Sequence, residues 1–191
     1  FLGNLTEGIL SKCDVTTLIN RSIQPLNTVK RHLIIIPQNA EKEIGFPFWL
    51  LRVWNIGRNT GAKLVFYGST TSLAVIEEIN KNHTIEVELV EFEEWEDFLI
   101  LSRDLKADDS LIIVMSRKNE ISYNSVMKKI PKYLNRYFKS TNYVLIYPMQ
   151  KGLNESALSN FQGSQIFNPL LNNMEKFDDA GKAISELFKK K

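Results

Sequence analysis

Short runs of β-branched and aliphatic residues, each stopped by Pro, Gly or a polar cluster, recur along this chain with helix-like stretches between them. HLIIIP (32–37), AKLVFYG (62–68), SLIIVMS (110–116) and YVLIYP (143–148) are such runs. Runs this apolar suit strands buried on both faces, the condition of a parallel sheet. IEVELVEF (85–92) differs, because it alternates strictly and so fits a strand with one wet face or an edge strand. FPFWLLRVWNIGRNTG (46–61) sets Phe48, Leu51, Trp54 and Ile56 near one helical face and ends on Gly61. Ser69, Thr70, Thr71 and Ser72 offer N-caps for a second helix running to about Asn82. WEDFLILSRDL (95–105) reads as a short helix. NSVMKKIPKYLNRYF (124–138) reads as a long one that Pro131, lacking an N–H, bends or restarts. Strands alternating with helices imply right-handed crossovers and a parallel sheet. The expected fold is α/β: a five-stranded, mainly parallel, Rossmann-like sheet in a three-layer sandwich.

The opening of the chain repeats the end of that pattern. Gly3-Asn4, the helix-like LTEGILSKC and the apolar VTTLIN stand in the same order as the helix and strand from Lys128 to Tyr147. Residues 1–22 therefore read as the end of a preceding repeat, 23–31 as a linker and 32–150 as one complete unit, so that the chain is expected to be a piece of something longer. VTTLIN has no sheet of its own. An unpaired apolar edge is an aggregation hazard, so this segment is expected to pair along YVLIYP. Residues 151–173 are rich in Asn, Ser, Gln and Gly and read as an irregular linker. Residues 174–191 follow as an amphipathic helix with a stripe of Met174, Phe177, Ala180, Ile184, Leu187 and Phe188. An isolated helix of that length is marginal, so it is expected to dock on protein.

Composition removes several function classes. With 24 Lys and Arg against 22 Asp and Glu, no global field argues for nucleic acid. The single Cys13 excludes an internal disulfide and a thiolate zinc cluster, and it is expected to be a small buried residue on a helix. No run reaches the roughly 18–20 apolar residues that span a bilayer, and the start lacks a signal-peptide pattern. His32 and His83 have no neighbouring His or Cys, so structural or solvated roles are expected, with no metal site. The acidic stretch 90–97 reads as a solvated strand end leading into a helix N-terminus. Trp49, Trp54 and Trp95 read as core or interface anchors.

In an open parallel sheet, ligands bind in the crevice beyond the carboxyl ends of the strands. Here that edge comprises Pro37-Gln38-Asn39, Gly68-Ser69-Thr70 and Ser116-Arg117-Lys118. A phosphate held there needs close backbone approach, which glycine permits. The loop after HLIIIP has no glycine cluster, and the loop after LIIVM supplies cations without glycine. Gln38, Gly68, Ser116, Arg117, Lys118 and Lys128 are thus the candidate residues of a degenerate nucleotide or simple-anion crevice.

The order of elements, and the spacing of the last strand–loop–helix–strand, resemble the universal stress protein domain. Its nucleotide-binding members carry a glycine, two residues, a second glycine, nine residues and then Gly-Ser around the triphosphate. Those places fall here at Met115, Lys118, Lys128 and Lys129, and the aspartate that usually ends the first strand gives way to Pro37-Gln38. Gly3-Asn4 stand where Gly-Ser closes the loop in the preceding repeat. The resemblance therefore implies a site degenerate for ATP. No cofactor is expected, and ATP or another adenine nucleotide is disfavoured.

A narrower resemblance covers roughly residues 1–150. RSIQPLNTVKRHLIIIPQNAEKEIGFPFWL, GAKLVFYG, EFEEWEDFLILSRDLKADDSLIIVMSRK and KIPKYLNRYF are similar to the second universal-stress-like domain in the cytosolic tails of certain bacterial monovalent cation/proton antiporters. The resemblance implies a non-catalytic, cytoplasmic regulatory domain. Its partner would be the antiporter membrane domain of the same parent chain, in the bacterial inner membrane. A homodimer or pseudo-dimer through the sheet edge is implied, with no nucleic-acid partner. The competing expectation is a free-standing adenine-nucleotide-binding universal stress protein. A third, an enzyme such as a nucleotidyl transferase on the same sheet, would need a phosphate motif that is not visible, and fold alone carries no function.

Overall fold

A computed structural model describes residues 8–81 and 85–150. The expectations placed on Gly3, Asn4, His83 and the whole of 151–191 lie outside the described residues.

Among the described residues six strands form one sheet: β1 Thr17–Arg21, β2 Arg31–Ile35, β3 Lys63–Gly68, β4 Val87–Glu91, β5 Asp109–Val114 and β6 Asn142–Tyr147. Their order is β1-β6-β5-β2-β3-β4. β2 to β6 are mutually parallel, and β1 alone runs antiparallel, against β6, with Ile19 opposite Leu145. The sheet thus has six strands where the complete unit alone predicts five. The added strand is the opening segment, which covers the edge of β6 as that open edge required. The parallel strands run in the order β6-β5-β2-β3-β4, so the direction of winding reverses between β2 and β5.

Alternation along the strands explains the layers. Ile34, Ile36, Leu64, Phe66, Ile112 and Val114 share a face and pack with Trp49, Trp54 and Ile76. Those partners lie on α1 (Phe46–Thr60) and α2 (Thr70–Asn80). Leu33, Ile35, Val65, Leu111, Ile113 and Leu145 face the other way, onto Trp95, Phe98, Ile130, Leu134 and Phe138. All three tryptophans are buried, as core anchors. Each fully buried Leu, Ile or Phe of these layers contributes about 1.5–3 kcal/mol. β4 bonds only to β3 among the described residues, and Lys63 bridges Glu86 and Glu88 along that wet edge, at 3.3 and 2.9 Å.

Local chemistry sets the helix ends. α1 carries Pro47 in its first turn and stops at Gly61, whose φ of 67° is left-handed and whose N–H returns to the Gly57 carbonyl at 2.8 Å. Ser69 caps α2 by accepting from the Ser72 N–H at 3.3 Å. Residues 95–103 form a 3-10 helix rather than an α-helix. Its buried residues, Trp95, Phe98 and Leu101, recur every third position, the spacing at which side chains eclipse on one side of a three-residue turn. Pro131 acts as expected. A 3-10 segment, Ser125–Lys129, is capped by the Asn124 side chain, and α3 (Ile130–Tyr137) restarts with the proline in its first turn. Cys13 corrects the sequence reading: it lies past the last helical residue of the opening segment and is half-buried rather than buried on a helix.

Candidate functional site

The reversal point between β2 and β5 opens on two loops, 36–45 and 115–124. Asn39 turns the first with a φ of 62°, a left-handed conformation that Asn tolerates better than most residues. Two glutamates follow. Glu41 Oε2 accepts from the Ser72 hydroxyl at 2.7 Å and ties the loop to α2. Glu43 is buried at 5 % exposure, directly across the reversal point. Its Oε1 accepts from the Ser116 hydroxyl at 2.9 Å, from the Ser122 N–H at 3.3 Å and from the Ser122 hydroxyl. Burial pushes the Glu43 carboxyl above its ordinary range, and the two serine hydroxyls pull the other way. Gly45 then passes against Pro148 and Met149. A Cβ there would stand 2.6 Å from the Pro148 Cβ and 2.8 Å from the Met149 carbonyl oxygen. No side chain fits that approach.

The loop after β5 spends its donors internally. Besides the bonds to Glu43, the Ser116 N–H points at the Met127 sulfur, at 3.2 Å. Arg117 reaches the opening segment, donating through its two terminal nitrogens to the carbonyls of Leu10 and of Val15, the latter at 3.3 Å. The Gln150 N–H donates to the Asp14 carbonyl at 2.9 Å beside it.

Beside this loop lies a cleft of about 930 Å³. Ser116, Arg117, Lys118 and Lys128 all line it, so four of the six candidate residues come together. Lys132 joins them, Leu10 and Ser11 form part of one wall, and Met115, Met127 and Tyr147 give it an apolar surface. Gln38 is elsewhere. It is exposed and borders a separate recess of about 80 Å³ with Asn39, Ser122 and Tyr123. Gly68 is buried at the end of β3, where a Cβ would meet only ordinary contacts from Ile36 and Leu73, so no ligand approach explains it.

Glu43, Ser122, Tyr123 and Lys132 escaped the sequence reading. Nothing in NAEKEIG (39–45) separates the buried Glu43 from the half-buried Glu41, since both stand in one polar loop.

The opposite end of the sheet holds a second cluster of ionisable groups. Arg31 grips Asp109 with Nε to Oδ1 at 2.9 Å and a terminal nitrogen to Oδ2 at 2.6 Å. The Lys106 N–H adds a third bond to Asp109, at 2.8 Å. His32 is 1 % exposed, with Nδ1 at 2.5 Å from the Ser110 hydroxyl and Nε2 at 3.2 Å from the Thr60 hydroxyl. Burial lowers its pKa to about 4, against a smaller opposing pull from Asp109. A Ser–His contact suggests nucleophilic chemistry, but Ser110 is itself buried and the second ring nitrogen goes to Thr60 rather than to a carboxylate. The pair is structural. No group of three or more potential metal-ligating side chains occurs among the described residues. No helix among them is long and apolar enough to cross a membrane.

Searches of protein-family models, curated proteins and solved structures return no match for this chain.

Proposed function

We propose that this chain is a non-catalytic, cytoplasmic regulatory domain of the universal-stress-like type, from the tail of a bacterial monovalent cation/proton antiporter. One observation carries the reading. The opening strand, which the sequence relates to β6 as the end of an earlier repeat, lies antiparallel on β6 along its whole length, Thr17–Arg21 against Tyr143–Tyr147. If the two strands are equivalent, this pairing would relate two such repeats by a local two-fold. That arrangement suits a tail of two units, in which the first transmits to the second through a shared sheet edge. The anchoring of Leu10 and Val15 by Arg117, and of Ile23 and Gln24 by the buried Asn142 at 2.6 and 3.0 Å, extends the contact on both sides of β1.

The state of the crevice supports a role without ATP turnover. At the reversal point the Glu43 carboxylate takes the donors of Ser116 and Ser122, and the Ser116 N–H serves Met127. In the loop that would wrap a triphosphate, the N–H groups of Ser116 and Ser122 are thus already committed, and Met115, Lys118, Lys128 and Lys129 stand where glycines would let the backbone approach.

The test has two arms. The reading frame upstream of Phe1 should encode about a dozen apolar helices, and removing residues 15–150 from the whole protein should leave cation/proton exchange in membrane vesicles but change its regulation. Calorimetry on the purified chain should give ATP affinity weaker than millimolar, on the order of −4 kcal/mol or less favourable. Micromolar ATP binding, or a frame without membrane helices, would overturn the proposal in favour of the free-standing nucleotide-binding protein.

A further inference from the structure

The cleft beside the β5–α3 loop has a one-sided chemistry. Arg117, Lys118, Lys128 and Lys132 line it, and no Asp or Glu among the described residues does. In a chain with 24 basic and 22 acidic side chains, such segregation is a local field rather than a reflection of composition. Two buried donors there have no partner among the described residues: Arg117 Nε and the Tyr123 hydroxyl. Buried polar atoms are normally satisfied, and an unsatisfied one costs about 1–3 kcal/mol. The remaining lining, Met115, Met127 and Tyr147, is apolar.

Arg117 does two things at once. Its terminal nitrogens hold the carbonyls of Leu10 and Val15, while its Nε stays unused. A guanidinium has five donors in a fixed fork, and the two carbonyls take only two of them, so its terminal nitrogens keep N–H groups for an oxyanion without releasing the carbonyls. The docked opening segment in turn holds the fork in place and supplies Leu10 and Ser11 to the cleft wall.

We propose that this cleft binds an oxyanion carried on an apolar body, and that Arg117 couples its occupancy to the docking of the opening segment. The ligand is a phosphoryl or carboxylate compound. The charged end meets Arg117, Tyr123 and the three lysines, and the body lies on Met115, Met127 and Tyr147. Because docking prearranges the fork and the anion then fixes it, the two events reinforce each other, and the coupling is reciprocal. This goes beyond the antiporter reading and needs no transporter context.

Cys13 is the single thiol of the chain, and it sits between the two carbonyls that Arg117 holds. The thiol is half-buried in the docked segment, so release of that segment should raise its labelling rate by an aromatic disulfide reagent. On the full chain, at constant ionic strength set with chloride, phenyl phosphate should slow labelling about fivefold at saturation, the low end of ordinary coupling. Inorganic phosphate should act in the same direction with a higher midpoint, and benzoate tests whether a carboxylate substitutes. In R117A, basal labelling should be faster and the phenyl phosphate effect absent. R117K keeps the charge but not the fork, and it should lose most of the effect; it also serves if R117A fails to fold. K128A should raise the phenyl phosphate midpoint. Labelling that ignores phenyl phosphate in the wild type, or an equal slowing in R117K, would overturn the proposal.

Discussion

Acidification should unfold this protein in part through His32, and the size of the effect follows from its site. The ring is 1 % exposed and bonded on both nitrogens to hydroxyls, which serve a neutral imidazole. Its pKa falls from 6.5 to about 4. The folded-state value is the lower one, so the unfolded chain takes up the proton first. The stabilisation is complete above pH 6.5 and is lost as pH falls through the window down to about 4. At about 1.36 kcal/mol per pKa unit, the whole shift corresponds to about 3 kcal/mol, of which about 2 kcal/mol goes between pH 7 and pH 5. The shift comes chiefly from burial, and Asp109, already committed to Arg31, is the nearby carboxylate that opposes it. The assay is urea denaturation of wild type and H32Q at pH 7, 6 and 5, followed by tryptophan fluorescence. Trp49, Trp54 and Trp95 report both faces of the core. H32Q removes the titration and retains a hydrogen-bonding side chain. It should be less stable at pH 7 by about 1 kcal/mol for an imperfect hydrogen bond, and the gap should close or reverse by pH 5. Parallel pH profiles for the two proteins would refute the argument, because the loss would then belong to other groups.

Two further outcomes follow from the loops at the reversal point. G45A should destabilise by about 3 kcal/mol or more, since the added Cβ meets the backbone of Met149 and the ring of Pro148, neither of which can rotate away; a shift of less than 0.5 kcal/mol in equilibrium unfolding would mean that Gly45 does not pack against the segment after β6. Glu43 runs opposite to His32. Its pKa is raised in the folded state by burial, so the folded protein holds the proton more tightly and this group adds stability as pH falls toward its ordinary value of 4.5. E43Q should accordingly match or exceed wild-type stability at pH 7 and make the acid loss steeper in comparison, a result read from the same denaturation series; a large loss at pH 7 with an unchanged pH profile would contradict it.

What the residues determined by themselves is mostly local. The run LIII after His32 and the run LIIV after Ser110 are apolar, mostly β-branched and bounded by breakers, which suits strands covered on both sides, and Leu33 to Ile36 and Leu111 to Val114 are buried accordingly. Gly61 ends a helix because it takes a left-handed φ, and Pro131 restarts one because it lacks an N–H; both effects need no tertiary context. The unpaired VTTLIN even pointed to its partner strand, since an apolar edge demands cover.

Tertiary structure decided what meets across loops. Periodicity could not say that the 95–103 stretch would tighten into a 3-10 helix, because the choice depends on the sheet surface that receives Trp95, Phe98 and Leu101. It could not separate Glu43 from Glu41, since the buried position exists only where Ser116 and Ser122 converge from a segment more than 70 residues away. Arg117 looked like a free cation in sequence and became an anchor for Leu10 and Val15, more than 100 residues earlier. Gln38 and Gly68 shared an edge with it by strand order, but Gln38 borders a separate recess and Gly68 packs against Ile36 and Leu73, outside the cleft. Local preferences act over a few residues and are written in the chain. A site is a convergence of distant loops, and its partners are fixed only when the sheet brings those loops together.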